Sequence, residues 1–249
     1  MDSGFHSLWT VFSEINLYDI LKFSLTKNGD LKILSSLESL NNKDNLIYQV
    51  AIYIQAKYSV QYGVKIELNK NIPVAAGLGG GSSNAATTIK GLSRLWNLDL
   101  SIGEMQDIAS RFGSDINFFL EGYTAIGTNR GEVIQPLDSD LFFDNILLVN
   151  PGYPIASREA YQSIDPLHFD RMCDLTPGEQ LLAKQDAEFC FNRLEAGILA
   201  KYPDLQQTKE LLHKIGAKKT LLSGSGPTMI AFFDDPKICQ KAREYTEQR

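Results

Sequence analysis

The chain reads as an α+β protein of two domains, on three observations. Stretches with period-two alternation interleave with stretches whose apolar residues recur every three or four positions. A polar, proline-containing stretch from Gln135 to Asp144 separates two such series. The length of 249 residues suits one large domain or two small ones. The expected domains are residues 1–143 and 144–249.

The elements follow in order. Leu8 to Leu34 is rich in β-branched and aromatic residues, and Lys27-Asn28-Gly29-Asp30 within it reads as a hairpin turn between strands. Leu46 to Lys57 carries Leu46, Ile47, Val50, Ala51 and Ile54 at helical spacing, and Val64 to Leu68 alternates as a strand. The stretch PVAAGLGGGSSNAA, Pro73 to Ala86, comes next, followed by Ile89, Leu92 and Leu95/Trp96. It therefore joins a strand to a helix, with Ser82, Ser83 and Asn84 as N-cap candidates. Ser101-Ile102-Gly103-Glu104 fits a capping box, and that helix is expected to end at Phe112 with Gly113 as its C-cap glycine. Ile146 to Val149 reads as a strand, Phe189–Leu199 and Asp204–Ile215 as helices. Thr220 to Phe233 reads as strand, loop, strand around Ser223-Gly224-Ser225-Gly226.

Composition narrows the function. A net charge of −6 argues against a nucleic-acid partner, which selects a basic face. Cys173, Cys190 and Cys239 are widely spaced and His6, His168 and His213 form no cluster, so no metal-ligand spacing is present and a reducing cytoplasm is the simplest setting. No apolar run approaches the ~20 residues a membrane helix needs. The first residues lack the pattern of a signal peptide.

The glycine stretch has a chemical reading. A helix N-terminus offers unpaired N–H groups and the positive end of the dipole, and glycines ahead of it let an anion approach. Strand, glycine loop and helix together make a phosphate cradle. It is not a Walker A loop, since no lysine lies between Lys70 and Lys90. Nor is it the dinucleotide fingerprint, because Ser82 and Asn84 stand where a third glycine is required. Asp115, ahead of the apolar run Ile116 to Leu120, suits either a helix cap or a general base. Ser223 to Gly226 on its own reads as a turn.

The pattern P-x-x-x-G-L-G-G-G-S-S-N-A-A resembles the ATP-binding signature of the GHMP kinases, named for galactokinase, homoserine kinase, mevalonate kinase and phosphomevalonate kinase. The run G-G-G-S-S-N-A-A resembles the branch that acts on 4-diphosphocytidyl-2-C-methyl-D-erythritol in non-mevalonate isoprenoid biosynthesis. The likeness continues through Asp2-Ser3-Gly4-Phe5-His6, Tyr18-Asp19, Asp44-Asn45-Leu46-Ile47, Gly113 to Phe119, Arg130-Gly131-Glu132 and Ser223 to Gly226. It implies a two-domain GHMP kinase fold, with a ribosomal-protein-S5-like N-terminal domain and a ferredoxin-like C-terminal domain. It implies ATP and Mg²⁺ as cofactors and a cytidine diphosphate methylerythritol substrate, in a monomer or homodimer.

Site residues follow from the same resemblance. Pro73, Val74, Ala75, Ala76, Gly77, Leu78, Gly79, Gly80, Gly81, Ser82 and Ser83 are implied to wrap the ATP phosphates, with Ser82 or Ser83 near Mg²⁺. Asn45 and Lys70 match positions lining the adenine, although Lys70 by itself suits a solvated charge at a strand end. Asp115 is implied to accept the proton of the attacking hydroxyl. Phe5, His6 and Tyr161 are implied to hold the cytosine; without the family, His6 is a terminal residue and Tyr161 a core one. The Ser223 to Gly226 loop is implied to lie against the first glycine loop, with Pro227 where alanine is frequent. Glu132 has no evident role beyond supporting a turn.

The family also carries, upstream of the G-F-H segment, a strand reading roughly P-A-K-[IL]-N-L, whose lysine pairs with the aspartate. This chain begins at Met1 without it. Either the start is assigned too late, or the chain is truncated and weakly active or merely nucleotide-binding. The consistent downstream motifs favour the first. Loss of that strand leaves N–H and C=O groups unpaired along its neighbour.

Overall fold

The structure is a computed structural model that describes residues 8–137, 143–163 and 176–247. Met1–Ile72 with Gly79–Asp140 form one compact unit, and Pro73–Leu78 with Leu141–Arg249 form a second. Among the described residues, no helix is long and apolar enough to cross a membrane.

The first unit runs β1 (Leu8–Ser13), β2 (Ile20–Thr26), β3 (Leu31–Ser35), α1 (Leu46–Lys57), β4 (Gly63–Asn69), α2 (Gly80–Leu95), α3 (Ile102–Ala109), α4 (Ile116–Glu121), β5 (Thr124–Asn129) and β6 (Val133–Pro136). Its described strands form two sheets, ordered β1-β5-β6 and β2-β4-β3. The first is antiparallel. In the second, β4 pairs antiparallel with β2 and parallel with β3.

That order corrects the expected hairpin. Residues 27–30 do join two strands, but β4 lies between them. The reason is burial: Val64, Ile66 and Leu68 of β4 are nearly solvent-free, which suits the position paired on both sides. The connection instead steps across the end of β4. Val64 N–H donates to the Asp30 carbonyl at 2.9 Å, and Thr26 Oγ1 donates to the same oxygen at 3.1 Å. Only glycine fits beneath this step, since a Cβ on Gly63 would lie 2.0 Å from the Asp30 oxygen and 2.4 Å from Thr26 Oγ1.

Ile47, Val50 and Ile54 of α1 and Ile89 and Leu92 of α2 bury their apolar stripes in one core with Ile66 and Leu68. Asn45 caps α1, accepting from Ile47 N–H at 3.0 Å while its amide donates to Leu40 O at 2.9 Å. The Ser101 capping box is present at α3. Two helix ends differ from expectation. Helix α2 begins at Gly80, ahead of the serines, because Gly79 takes the N-cap position in the left-handed region at φ 64°. Helix α3 ends at Ala109 with Ser110 as its C-cap, not at Gly113. There Ser110 Oγ donates back to Gln106 O at 2.9 Å and accepts from Asn117 Nδ2 at 3.0 Å.

The second unit contains β7 (Ile146–Val149), α5 (Ser157–Gln162), α6 (Thr176–Lys184), α7 (Glu195–Lys201), α8 (Pro203–Ile215), β8 (Lys219–Leu222), β9 (Met229–Phe232) and α9 (Pro236–Glu247). Its described strands form an antiparallel sheet ordered β7-β9-β8. Ile198, Leu205, Leu212, Met229 and Ala231 share the core. The helix expected over 189–199 instead spans Glu195–Lys201, beginning later and ending later. Asn192 interrupts it: its amide donates to Leu222 O at 2.8 Å and Gly224 O at 2.7 Å, and its Oδ1 accepts from Leu194 N–H at 2.9 Å.

Gly63→Ala is expected to destabilise the chain by about 3 kcal/mol, the upper end for overpacking against backbone that cannot yield. Gly103→Ala, where nothing lies within 4 Å of the new Cβ, is expected to stabilise by about 0.5–1 kcal/mol through lost backbone freedom. Urea unfolding midpoints of the two variants check the contrast.

Candidate active site

Asp115 occupies the N-cap position of α4 at φ −73° and ψ −12°, yet its side chain caps nothing. Its carboxylate instead accepts from Ser114 Oγ at 3.2 Å. The turn from β5 to β6 closes over it. Gly131, at φ +103°, comes so near that a Cβ there would lie 3.3 Å from Asp115 Oδ1. Glu132 holds this turn, accepting from Arg130 N–H at 2.8 Å, while its carbonyl accepts from the buried Asn117 Nδ2 at 3.0 Å. Burial pushes the Asp115 carboxyl above its ordinary value, and the Ser114 hydroxyl offsets this only in part. A carboxylate so placed is a ready proton acceptor.

The glycines at the start of α2 have distinct reasons. A Cβ on Gly79 would come 2.7 Å from Phe119 Cζ; one on Gly80 would come 2.9 Å from Ile72 Cγ2 and 3.1 Å from Lys70 Nζ. Phe119 lies on α4, so the helix that Asp115 begins abuts the start of α2. Gly81 is different. It is exposed, and the nearest atom to a new Cβ is Leu46 Cδ1, at an ordinary 3.8 Å. Leu46 follows Asn45, so the start of α1 neighbours this glycine. No side chain caps α2. Ser83 Oγ donates to Gly80 O at 3.0 Å and Ser82 is half-buried.

Lys70 is not a solvated charge. Its side chain is 4% exposed and its ammonium pairs at 2.7 Å with Asp19, itself 1% exposed. The ammonium also donates to Ile72 O. Asp19 Oδ1 accepts from Asn71 N–H at 2.7 Å and Ile72 N–H at 2.8 Å. Burial alone would raise this carboxyl, but Lys70 and the two N–H groups together hold it below the ordinary value.

In the second unit, the Pro73–Leu78 part of the glycine stretch meets the Ser223 to Gly226 loop. Ser223 Oγ donates to Gly77 O at 2.9 Å, and Thr228 N–H donates to Ala76 O at 3.3 Å. A Cβ on Gly77, at φ +74°, would lie 2.2 Å from Ser223 O. Pro73, Val74 and Ala75 are exposed and Ala76 is buried. Tyr161 is half-buried on α5 against the core of this unit. Phe5 and His6 lie outside the described residues.

Gly79 to Ser83 and Asp115 thus belong to the first unit, while Tyr161 belongs to the second. Asp19, Gly131 and Phe119 fall within the sequence motifs, yet sequence reasoning assigned none of them a place in the site. The run Arg130-Gly131-Glu132 signals a turn, but nothing local ties Asp19 to a lysine 51 positions away.

Residues 45–123 match the GHMP kinase N-terminal domain and residues 178–247 the GHMP kinase C-terminal domain. The chain is 37% identical over 248 residues to a 4-diphosphocytidyl-2-C-methyl-D-erythritol kinase of Thermoanaerobacter pseudethanolicus, covering 98% of this chain and 84% of that protein. It is 35% identical over 259 residues to the kinase of the same name from Prochlorococcus marinus, covering 96% and 82%. This chain therefore belongs to the GHMP kinase family. Within it, a crystal structure of 4-(cytidine 5'-diphospho)-2C-methyl-D-erythritol kinase superposes with a TM-score of 0.84 at 27% identity, over 100% of this chain and 89% of that one. The mevalonate kinase of Methanococcus jannaschii shares the fold at a TM-score of 0.74 and 12% identity, over 100% and 96%.

A raised native pKa means that ionising Asp115 works against folding. Its cost is absent below the carboxylate range, where both states are protonated, and full above its native pKa. Asp115→Asn is therefore expected to unfold at a higher temperature than the parent at pH 7, with the gain vanishing as pH falls through the carboxylate range. Thermal melts at a series of pH values check this.

Proposed function

We propose that this chain transfers the γ-phosphoryl group of ATP to the 2-hydroxyl of 4-diphosphocytidyl-2-C-methyl-D-erythritol, a step of non-mevalonate isoprenoid biosynthesis. The observation that carries the nucleotide half is Gly81. Gly77, Gly79 and Gly80 are each required by a neighbouring protein atom, whereas Gly81 is exposed and a Cβ there would meet only an ordinary contact. Its bareness serves close approach by a ligand at an uncapped, electropositive helix start. Family membership and the ordered motifs support the substrate.

In this reading Gly77 to Ser83 hold the ATP phosphates, with Asn45, Lys70 and the rest of Pro73 to Leu78 completing the nucleotide site. Asn45 acts beside its capping role and Lys70 from its pair with Asp19. The substrate oxygen bonds to the γ-phosphorus as the bond to the ADP oxygen breaks. The hydroxyl proton passes to the Asp115 carboxylate and from there to water. No covalent enzyme intermediate is needed. Among the described residues no three His, Cys, Asp or Glu side chains cluster as ligands. Mg²⁺ is proposed to be held chiefly by phosphates and water, with Ser82 or Ser83 near the ion. Mg²⁺ would neutralise charge on the phosphates when bound. Phe5, His6 and Tyr161 are proposed to hold the cytosine, in a cytoplasmic enzyme whose N-terminal domain spans 1–143 and C-terminal domain 144–249.

Two variants separate the halves of this reading. Gly81→Ala is expected to fold as stably as the parent or better and to weaken ATP binding at least about tenfold in equilibrium titration, since its cost falls on the ligand. Unchanged ATP affinity there sinks the phosphate-cradle role. Asp115→Asn is expected to lower the transfer rate by about 10²–10⁴, the range for a lost general base, while binding ATP within about twofold of the parent. Parental turnover by that variant removes Asp115 from the chemistry. If the unaltered chain binds both substrates without transfer, it is a non-catalytic binding member of the family.

A further inference from the structure

We propose that Asp19 is a positioning residue for nucleotide binding, acting through Lys70 and through the backbone that leads into the glycine loop. This rests on the kinase reading above and adds a residue to it. Asp19 stands just ahead of β2, and its carboxylate is shielded from water and fully engaged. One oxygen accepts from Lys70 Nζ at 2.7 Å; the other accepts from Asn71 N–H at 2.7 Å and Ile72 N–H at 2.8 Å. Tyr18 O extends the clamp, accepting from Asn71 Nδ2 at 2.8 Å. Three successive residues are thereby tied to one point.

What is tied matters because of what lies above it. Gly80, the first residue of α2, rests on Ile72 and on the Lys70 ammonium, with room for a hydrogen but not a methyl group. A shift of Ile72 or Lys70 therefore displaces the N–H groups of Gly80 and Gly81 relative to an incoming phosphate. A buried ion pair is weak evidence for stability, because desolvation offsets its attraction, but its directional bonds can fix one geometry. Binding sites need that kind of support behind the groups that touch the ligand.

The test is ATP titration of the parent chain and of Asp19→Asn, alongside thermal melts and steady-state kinetics. ATP affinity is expected to fall about tenfold or more in Asp19→Asn, and KM for ATP to rise with it. KM for the acceptor alcohol should stay within about twofold, a split that a general loss of stability does not produce. A variant that melts lower yet binds ATP like the parent overturns the inference and leaves the kinase reading intact. A parent chain that does not bind ATP overturns both. Should the variant fail to fold, hydrogen exchange of the parent decides. Saturating ATP should slow exchange at Asn71 and Ile72 more than along β5 of the same unit. Equal slowing at both places overturns the inference.

Discussion

Crowding of bare backbone at the start of α2 is the constraint from which the rest of the first unit's site follows. The chain must leave β4, turn, and enter a helix with its peptide groups pressed against other residues. Gly79 can do so in the left-handed region under Phe119, and Gly80 can do so over Ile72 and Lys70. Interiors pack at near-crystalline density, so a contact of this kind has few alternative arrangements. Because Phe119 belongs to α4, the packing that seats Gly79 also seats the helix that begins at Asp115. Phe118 also anchors this helix, stacked on Phe12 with ring centroids 5.0 Å apart.

Two carboxylates in this unit show how environment divides labour. Asp19 faces a cation and two backbone N–H groups, and these outweigh its burial and hold it ionised. Asp115 has burial against it and only the Ser114 hydroxyl in its favour. The first is committed to structure and is a poor proton acceptor. The second carries negative charge only at a cost, and burial favours its protonated form. Pairs of like groups pushed apart in this way are a recurring feature of acid–base sites. The cost of burying the Asp115 carboxylate is offset elsewhere in the fold, by the core that α1, α2 and β4 share.

The second unit supports its own part of the glycine stretch independently. Ser223 and Thr228 bond the carbonyls of Gly77 and Ala76. Asn192, the residue that breaks the expected helix, is spent on the backbone of Leu222 and Gly224. A side-chain amide that satisfies loop carbonyls competes directly with helical hydrogen bonding. The interruption and the support are one interaction.

Much of the local architecture was legible in the sequence. The 3.6-residue spacing marked α1, the serine and glutamate of the capping box marked the start of α3, and the glycine density marked a strand-to-helix loop suited to an anion. These signals act over a few residues, where dihedral preference and hydrogen-bond reach suffice. The placement of β4 between β2 and β3, the true first residue of α2, the end of α3 and the length of α7 were decided by the tertiary structure. So were the Asp19–Lys70 pair and the closure of Gly131 over Asp115. Each of these depends on which surfaces meet and on which buried polar groups find partners. That is settled by exclusion of water and by space between residues far apart in the chain, and leaves no periodic trace along it.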